Sequence, residues 1–387
     1  MRIANLALTL SAVLESPHPV SRADVASKLG LTRSTVSRLV DELVAGHFLT
    51  EGTPVSGPRG RPGVPLSAAP NGLMSLGMEV NADRIATMVV DLGGKVVAAR
   101  TVQLDVVGAG PADALAMLQE QSLAMLGELP NDARIIGAHL AIPALIDRTG
   151  TTVVRSPNLG WDGVQPASHL QELLGNRDWN FLVSNDVDCS ALTLLRDSPS
   201  LVLDRGSFIY VTGEVGIGSS VIIDGQQLTG RHGWASELGH VCVVSEGGRT
   251  CGCGATGCLE TIAGLKGILE DSGAGSIDDL LVALSNNEEH ATRCVAAVSR
   301  ALGRALGAAL NLLDLEQVVL GGHLDTLAEW LVPGVRAELE VRVMWSPYEE
   351  IDVTTVGHDP TRTALGAAYA ALAPIISNPA QWVDRQG

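Results

Sequence analysis

Apolar residues in the first fifty positions recur at helical spacing, in three bursts divided by polar turns. Ile3, Leu6, Leu10, Val13 and Leu14 share one stripe of a helix, so the chain opens with an amphipathic helix. The polar Asn5, Thr9 and Ser11 within that run argue against a signal peptide. Ser21, followed three residues on by Asp24, resembles a capping box, with Val25, Ala26 and Leu29 turned inward and Gly30 as the stop. Thr32 then caps a further helix buried along Val36, Leu39, Val40 and Leu43, at i, i+3, i+4 and i+7. Its outer face is left to Arg33, Ser34, Thr35, Ser37 and Arg38.

Two short helices joined at a glycine, the second presenting arginines and hydroxyls near its N-terminus, meet the needs of a major-groove reader. Arginine takes a guanine edge bidentately, and Ser or Thr reaches bases or phosphates. Phe48, Leu49 and Thr50 followed by Gly52, Pro54 and Gly57 read as the strand and turn of a wing. In Pro58-Arg59-Gly60-Arg61-Pro62 the prolines hold Arg59 and Arg61 in an extended cationic ribbon, an AT-hook-like pentapeptide suited to a narrow A/T-rich minor groove. The same stretch can serve as a flexible link as well. Residues 1–57 are therefore assigned to a winged helix-turn-helix, 58–72 to a basic linker and 73–387 to the body.

In the body the period changes. Segments 76–80, 84–91 and 95–101 read as strands turning at Gly93-Gly94, followed by a helix at 111–126 and a strand at 135–142. The order recurs after Phe181, with strands at 181–184, 207–212 and 218–223 and helices near 259–271, 277–285 and 290–313. Such alternation is an α/β pattern. The helical runs 290–313 and 363–373 are candidate hinge or interface elements.

With 46% apolar and 18% charged residues in 387, well-buried cores are expected rather than disorder. A net charge of −17 would by itself repel nucleic acid. Its distribution reverses that inference: residues 1–70 carry seven Arg/Lys against five Asp/Glu, a net +2, and the rest −19. No apolar run approaches the roughly 20 residues that span a bilayer, so a cytoplasmic protein without a membrane partner is expected. Cysteines there point to metal or buried thiols rather than disulfides. Cys251-x-Cys253-x4-Cys258, eleven residues after His240, offers three thiolates and an imidazole, the donor set of a tetrahedral structural Zn2+ site, one per chain. Cys189 and Cys294 lie in apolar helical contexts and read as core.

Taken in order, Ser156-Pro157-Asn158-Leu159-Gly160-Trp161, Asn185-Asp186, Gly216-Ile217-Gly218, Glu237-Leu238-Gly239-His240, the cysteine cluster, Gly257-Cys258-Leu259-Glu260 and Val319-Leu320-Gly321-Gly322 resemble the ROK family of repressors and sugar kinases. The likeness is to its winged-helix regulators and spans essentially the whole chain. It implies a two-lobed actin-like, hexokinase-type (ribonuclease H-like) domain with a sugar between the lobes. It also implies zinc at the cysteine cluster, although the interval from His240 to Cys251 looks one residue longer than the family's. Asn158, Asn185, Asp186, Glu237, His240 and Glu260 match its sugar-contacting positions, Asp186 being where the kinases keep their general base. His240 would then serve both zinc and sugar.

The phosphate loops depart from the kinases. Where the family has Asp-x-Gly-Gly-Thr, this chain has Glu79-Val80-Asn81-Ala82-Asp83; where it has Gly-Thr-Gly-x-Gly, Glu214-Val215-Gly216-Ile217-Gly218. Glycines that let backbone amides approach phosphate are lost, and carboxylates that repel it are gained. The adenosine-end glycines continue into His323, and Ala144 replaces a glycine beside the sugar. The expected function is a non-enzymatic, sugar-responsive repressor of carbohydrate genes. It would bind double-stranded operator DNA, palindromic and partly A/T-rich, as a homodimer or homotetramer. A bifunctional sugar kinase and regulator, and a constitutive DNA-binding regulator with a vestigial pocket, remain as alternatives.

Overall fold

The structure, a computed structural model, describes residues 1–54, 63–175, 177, 179–201, 203, 206–357 and 359–386, without the side chains of 384–386. Helices α1 (Arg2–Leu14), α2 (Arg22–Leu29) and α3 (Arg33–Ala45) form where the periodicity predicts. Ser21 and Asp24 close a full capping box, Gly30 ends α2 at a φ of 64°, and the Thr32 hydroxyl accepts from the Thr35 amide. Val36, Leu39, Val40 and Leu43 are all buried. On α1 the stripe is displaced: Leu6, Thr9, Leu10, Ala12 and Val13 are buried, but Ile3 is 53% exposed. Arg2 pairs with Glu42 of α3 at 2.8 Å, which turns Ile3, roughly 100° further round the helix, to solvent.

Leu49–Glu51 pairs antiparallel with Pro65–Ala68, and Val20–Ser21 borders the other side of that strand. Part of the stretch expected to be linker is thus the return strand of the wing. Proline at its first position hides it from a propensity reading, yet first positions are where strands tolerate proline. Arg59 and Arg61 fall outside the described residues.

The body holds two five-stranded sheets of one topology. The first runs Val96–Gln103, Arg84–Asp91, Leu73–Val80, Arg134–Ile142, Asn180–Asn185; the second runs Gln226–Gln227, Ile217–Ile223, Phe208–Gly213, Gln317–Gly322, Asp352–Thr355. In each, three antiparallel strands are followed by two parallel ones reached by crossovers. The duplication begins at Phe208 and not at Phe181: Asn180–Asn185 pairs in parallel with Arg134–Ile142 as the edge of the first sheet. A separate core underlies each lobe. Cys189 and Cys294 are buried, as expected.

The helix Arg362–Ser377 returns from the second sheet to the first, crossing Leu73–Val80 and Arg134–Ile142 and lying along the helix Asp186–Leu195. That approach needs glycine: a Cβ on Gly366 would overlap the Cys189 carbonyl, and one on Gly77 the Ala364 carbonyl. At its far end, Leu372 and Ile376 are buried with Leu6, Leu10, Val36 and Phe48. Each such side chain contributes about 1.5–3 kcal/mol, so the N-terminal module and the first lobe share one core.

Candidate functional site

Residues of both lobes enclose a cavity of about 300 Å³, at the small end of ligand pockets. Asn158, Asn185, Asp186, Glu237, His240 and Glu260 all line it. Asn158 follows the strand Val153–Ser156, and Asn185 and Asp186 open the helix Asp186–Leu195. Glu237 precedes and His240 ends the 3-10 turn Leu238–His240, and Glu260 starts the short helix Glu260–Ala263. Ala144 also lines the cavity without closing it.

Each polar group has a local role. The Asn185 side chain accepts from the Val187 and Asp188 amides at 2.9 and 3.3 Å, capping its helix, and donates to the Ala144 carbonyl at 3.3 Å. Burial pushes the Asp186 carboxyl up to about 7, with Glu214 adding to the effect and the Val187 amide and Arg84 opposing it. Burial likewise raises Glu237, and His240 opposes it. Glu260 accepts from the Ile217 amide at 3.2 Å. A side chain at position 216 would collide with the Glu260 carboxylate and the Asn158 amide, so Gly216 allows these two groups to meet.

On the side where the kinases hold phosphate, an ion-pair network crosses the cleft. Arg84 of the first lobe reaches Glu79 at 2.8 Å and Glu214 of the second lobe at 2.7 Å, and the Asn81 amide donates to Glu214 at 2.7 Å. Glu79 is fully buried, which pushes its carboxyl up to about 8 against the pull of Arg84. The third adenosine-end glycine is replaced by His323, whose ring packs on Gly213 and whose Nε2 lies 2.8 Å from the Ala263 carbonyl. The sequence showed the lost glycines and the added acids. It missed Arg84, the countercharge that joins them; an Asp83-Arg84 pair in one loop and a lone Glu214 in the other were the available signal.

His240, Cys251, Cys253 and Cys258 come together, their donor atoms all within 4.8 Å of one another. Cys253 and Cys258 sulfurs lie 3.8 Å apart, and Cys251 Sγ lies 3.7 Å from His240 Nδ1. Bonds of about 2.3 Å to sulfur and about 2.0–2.1 Å to nitrogen in a tetrahedron require edges of about 3.8 and about 3.6 Å, so the cluster fits a metal ion of that size. With Nδ1 on the cysteine side, His240 Nε2 points to Glu237, 3.9 Å away. Cys242 lies outside the cluster.

On α3, Arg33, Ser34 and Arg38 are exposed, whereas Thr35 and Ser37 are half-buried. Ser34 and Thr35 hydroxyls share the Thr32 cap, and the Ser37 carbonyl accepts from Arg22 at 2.8 Å. Arg22, which the sequence reading passed over, also binds Asp41 and Glu51, fixing the wing to α3. Arg155 at the cavity was likewise passed over. No helix among the described residues is long and apolar enough to cross a membrane.

Residues 75–373 match the ROK family, and residues 7–51 match the IclR helix-turn-helix domain. The xylose repressor of Caldicellulosiruptor bescii is 22% identical, over 97% of this chain and 97% of its own. A crystal structure of a ROK family transcriptional regulator, a homolog of the Escherichia coli Mlc protein, superposes with a TM-score of 0.78 at 23% identity, covering all of both chains. The Streptomyces griseus ROK glucokinase, in complex with glucose and AMPPNP, reaches 0.63 at 19% identity, covering 76% of this chain and 98% of its own.

Proposed function

The chain belongs to the ROK family, and on that premise we propose that it is a DNA-binding repressor of carbohydrate uptake or metabolism genes, released from its operator by a sugar between the lobes, and not a kinase. The observation that carries this reading is the Arg84 bridge from Glu79 to Glu214. A kinase needs that space for phosphates and their magnesium; here it is filled by a cation already paired with two carboxylates. Asp186, at the position of the base that would take the sugar hydroxyl's proton, then has no phosphoryl donor to serve. With Asn158, Asn185, Glu237, His240 and Glu260 it serves as a hydrogen-bond partner for sugar hydroxyls.

In this reading His240, Cys251, Cys253 and Cys258 hold one zinc per chain, which when bound supplies a fixed crosslink of the loop beside the sugar. The loop presents His240 Nε2 to the cavity. The signal leaves through the helix Asp186–Leu195, which begins at the sugar and packs on Arg362–Ser377, where Ser190 and Thr363 hydroxyls lie 2.8 Å apart. Arg362–Ser377 ends in the core of the winged helix. A sugar that shifts this stack weakens DNA binding by the factor by which DNA weakens sugar binding. The protein works in the cytoplasm as a homodimer or homotetramer. Paired α3 helices read half-sites of a palindrome through Arg33, Ser34, Thr35, Ser37 and Arg38, with Arg59 and Arg61 in an adjoining A/T-rich minor groove.

The test is incubation of purified, zinc-replete protein with glucose, xylose and N-acetylmannosamine, with and without Mg-ATP. The reading expects a rise in melting temperature with a sugar, no further rise with Mg-ATP and no phosphorylated product. The retained Asp186, near 7, favours the bifunctional kinase as second reading; turnover of any of these sugars would establish it.

A further inference from the structure

Five side chains of ordinary acidic or basic type line the cavity: Asp186, Glu214, Glu237, Glu260 and Arg155. Three of the acids have partners: Glu214 accepts from Arg84 and Asn81, Glu260 accepts from the Ile217 amide, and Glu237 faces His240, while burial pushes the Asp186 carboxyl up to about 7. Arg155 is different: among the described residues nothing accepts its guanidinium protons, although it sits in a cavity with four carboxylates and in a chain of net charge −17. The Arg155 side chain is exposed, so the guanidinium is left to water and available to a ligand at the cavity. Arg155 is pinned between two neighbours in a three-stranded sheet, opposite Leu145 on one side and Asp162 on the other.

The opposite lobe packs against the segment that follows the cavity residue Leu145. Ile146, next to Leu145, accepts from the Trp234 indole at 2.6 Å, and Arg148 donates to the Arg231 carbonyl at 3.3 Å. These contacts tie the strand beside Arg155 to the second lobe. Of the acids on the neighbouring strands and turn, Asp147 is occupied by the Thr149 hydroxyl and the Thr151 and Thr152 amides, and Asp162, opposite Arg155, is exposed.

We propose that Arg155 sets the specificity of the cavity, and that the effector is a sugar bearing a negatively charged group, a phosphate or a carboxylate, which Arg155 binds. The inference rests on the reading of the cavity as a sugar site and narrows it. Hydroxyls of the ring meet the interior amides and carboxylates; the anion meets the one unpaired guanidinium in bidentate fashion. A neutral sugar leaves Arg155 to water.

Calorimetric titration of the full-length, zinc-replete protein tests this with glucose, xylose and N-acetylmannosamine against glucose 6-phosphate, glucose 1-phosphate, glucuronate and galacturonate. At least one anionic sugar is expected to bind about tenfold or more tightly than every neutral one, as a charge-assisted pair allows. Phosphates winning over uronates, or the reverse, identifies the anionic group. Arg155→Ala should bring that ligand down to the neutral level without altering the melting temperature, while Arg155→Lys keeps part of the preference and neutral sugars move less than twofold. A neutral sugar that binds as tightly as the anionic ones, or an Arg155→Ala protein with unchanged preference, overturns the role of Arg155 and leaves the sugar site standing. Absence of binding by every compound, with the protein folded, overturns the sugar site and this inference with it.

Discussion

Gly366→Ala is the sharpest perturbation of the route between cavity and DNA. An alanine Cβ there would lie 1.8 Å from the Cys189 carbonyl oxygen, where ordinary contact begins at 3.4 Å. The helices Asp186–Leu195 and Arg362–Ser377 must therefore part by on the order of 1.5 Å, an overpacking that costs about 1–3 kcal/mol. For a chain of 387 residues that corresponds to a fall in melting temperature of roughly 1–4 °C. The displaced helix carries Leu372 and Ile376, about 9 and about 15 Å further along, into the core of α1 and α3. Fluorescence anisotropy of labelled duplex, titrated with protein at several effector concentrations, should show sugar still bound but its effect on DNA affinity reduced severalfold. A variant with a lowered melting temperature and wild-type coupling would refute the route; one unchanged in both would refute the packing itself.

The remaining expectations concern separate parts. Glu79 takes a proton more tightly folded, near 8, than unfolded, near 4.5. Its protonation therefore contributes stability that is complete below about 4.5 and lost as the pH rises through about 8, and Glu79→Gln should flatten melting temperature against pH across that window. Arg84→Met, which strands a buried acid, should cost about 3–5 kcal/mol in denaturant unfolding, more at pH 8 than at pH 6. Cys253→Ser should take zinc content from one per chain to near zero by metal analysis and lower the melting temperature, as loss of a structural ion does. Arg38→Ala should weaken DNA binding by about 1–3 kcal/mol in anisotropy titrations while sugar affinity stays fixed.

How far the sequence carried depended on how local each determinant was. Helix caps at Ser21 and Thr32 and the buried face of α3 are encoded within a few residues and formed as expected. The metal cluster is nearly as local, since all its donors but His240 lie in one short loop. The six positions matched by family resemblance converge on a single cavity. What failed was non-local. Asn180–Asn185 looks like the start of a repeat until its parallel pairing with Arg134–Ile142 is seen. Pro65–Ala68 is a strand because Leu49–Glu51 and Val20–Ser21 flank it, not because of its composition. Arg84 and Glu214 stand 130 positions apart, so neither loop read alone reveals the bridge.

The central claim is that a sugar, without nucleotide, controls the grip on DNA. Anisotropy of a duplex selected by the protein from a random-sequence pool, titrated with the best-binding sugar in the presence and absence of Mg-ATP, tests it most directly. The account predicts release of DNA by the sugar, a midpoint that Mg-ATP does not move, and no phosphorylated sugar at the end. DNA held equally at every sugar concentration, or a midpoint that shifts with Mg-ATP as sugar phosphate accumulates, would contradict it.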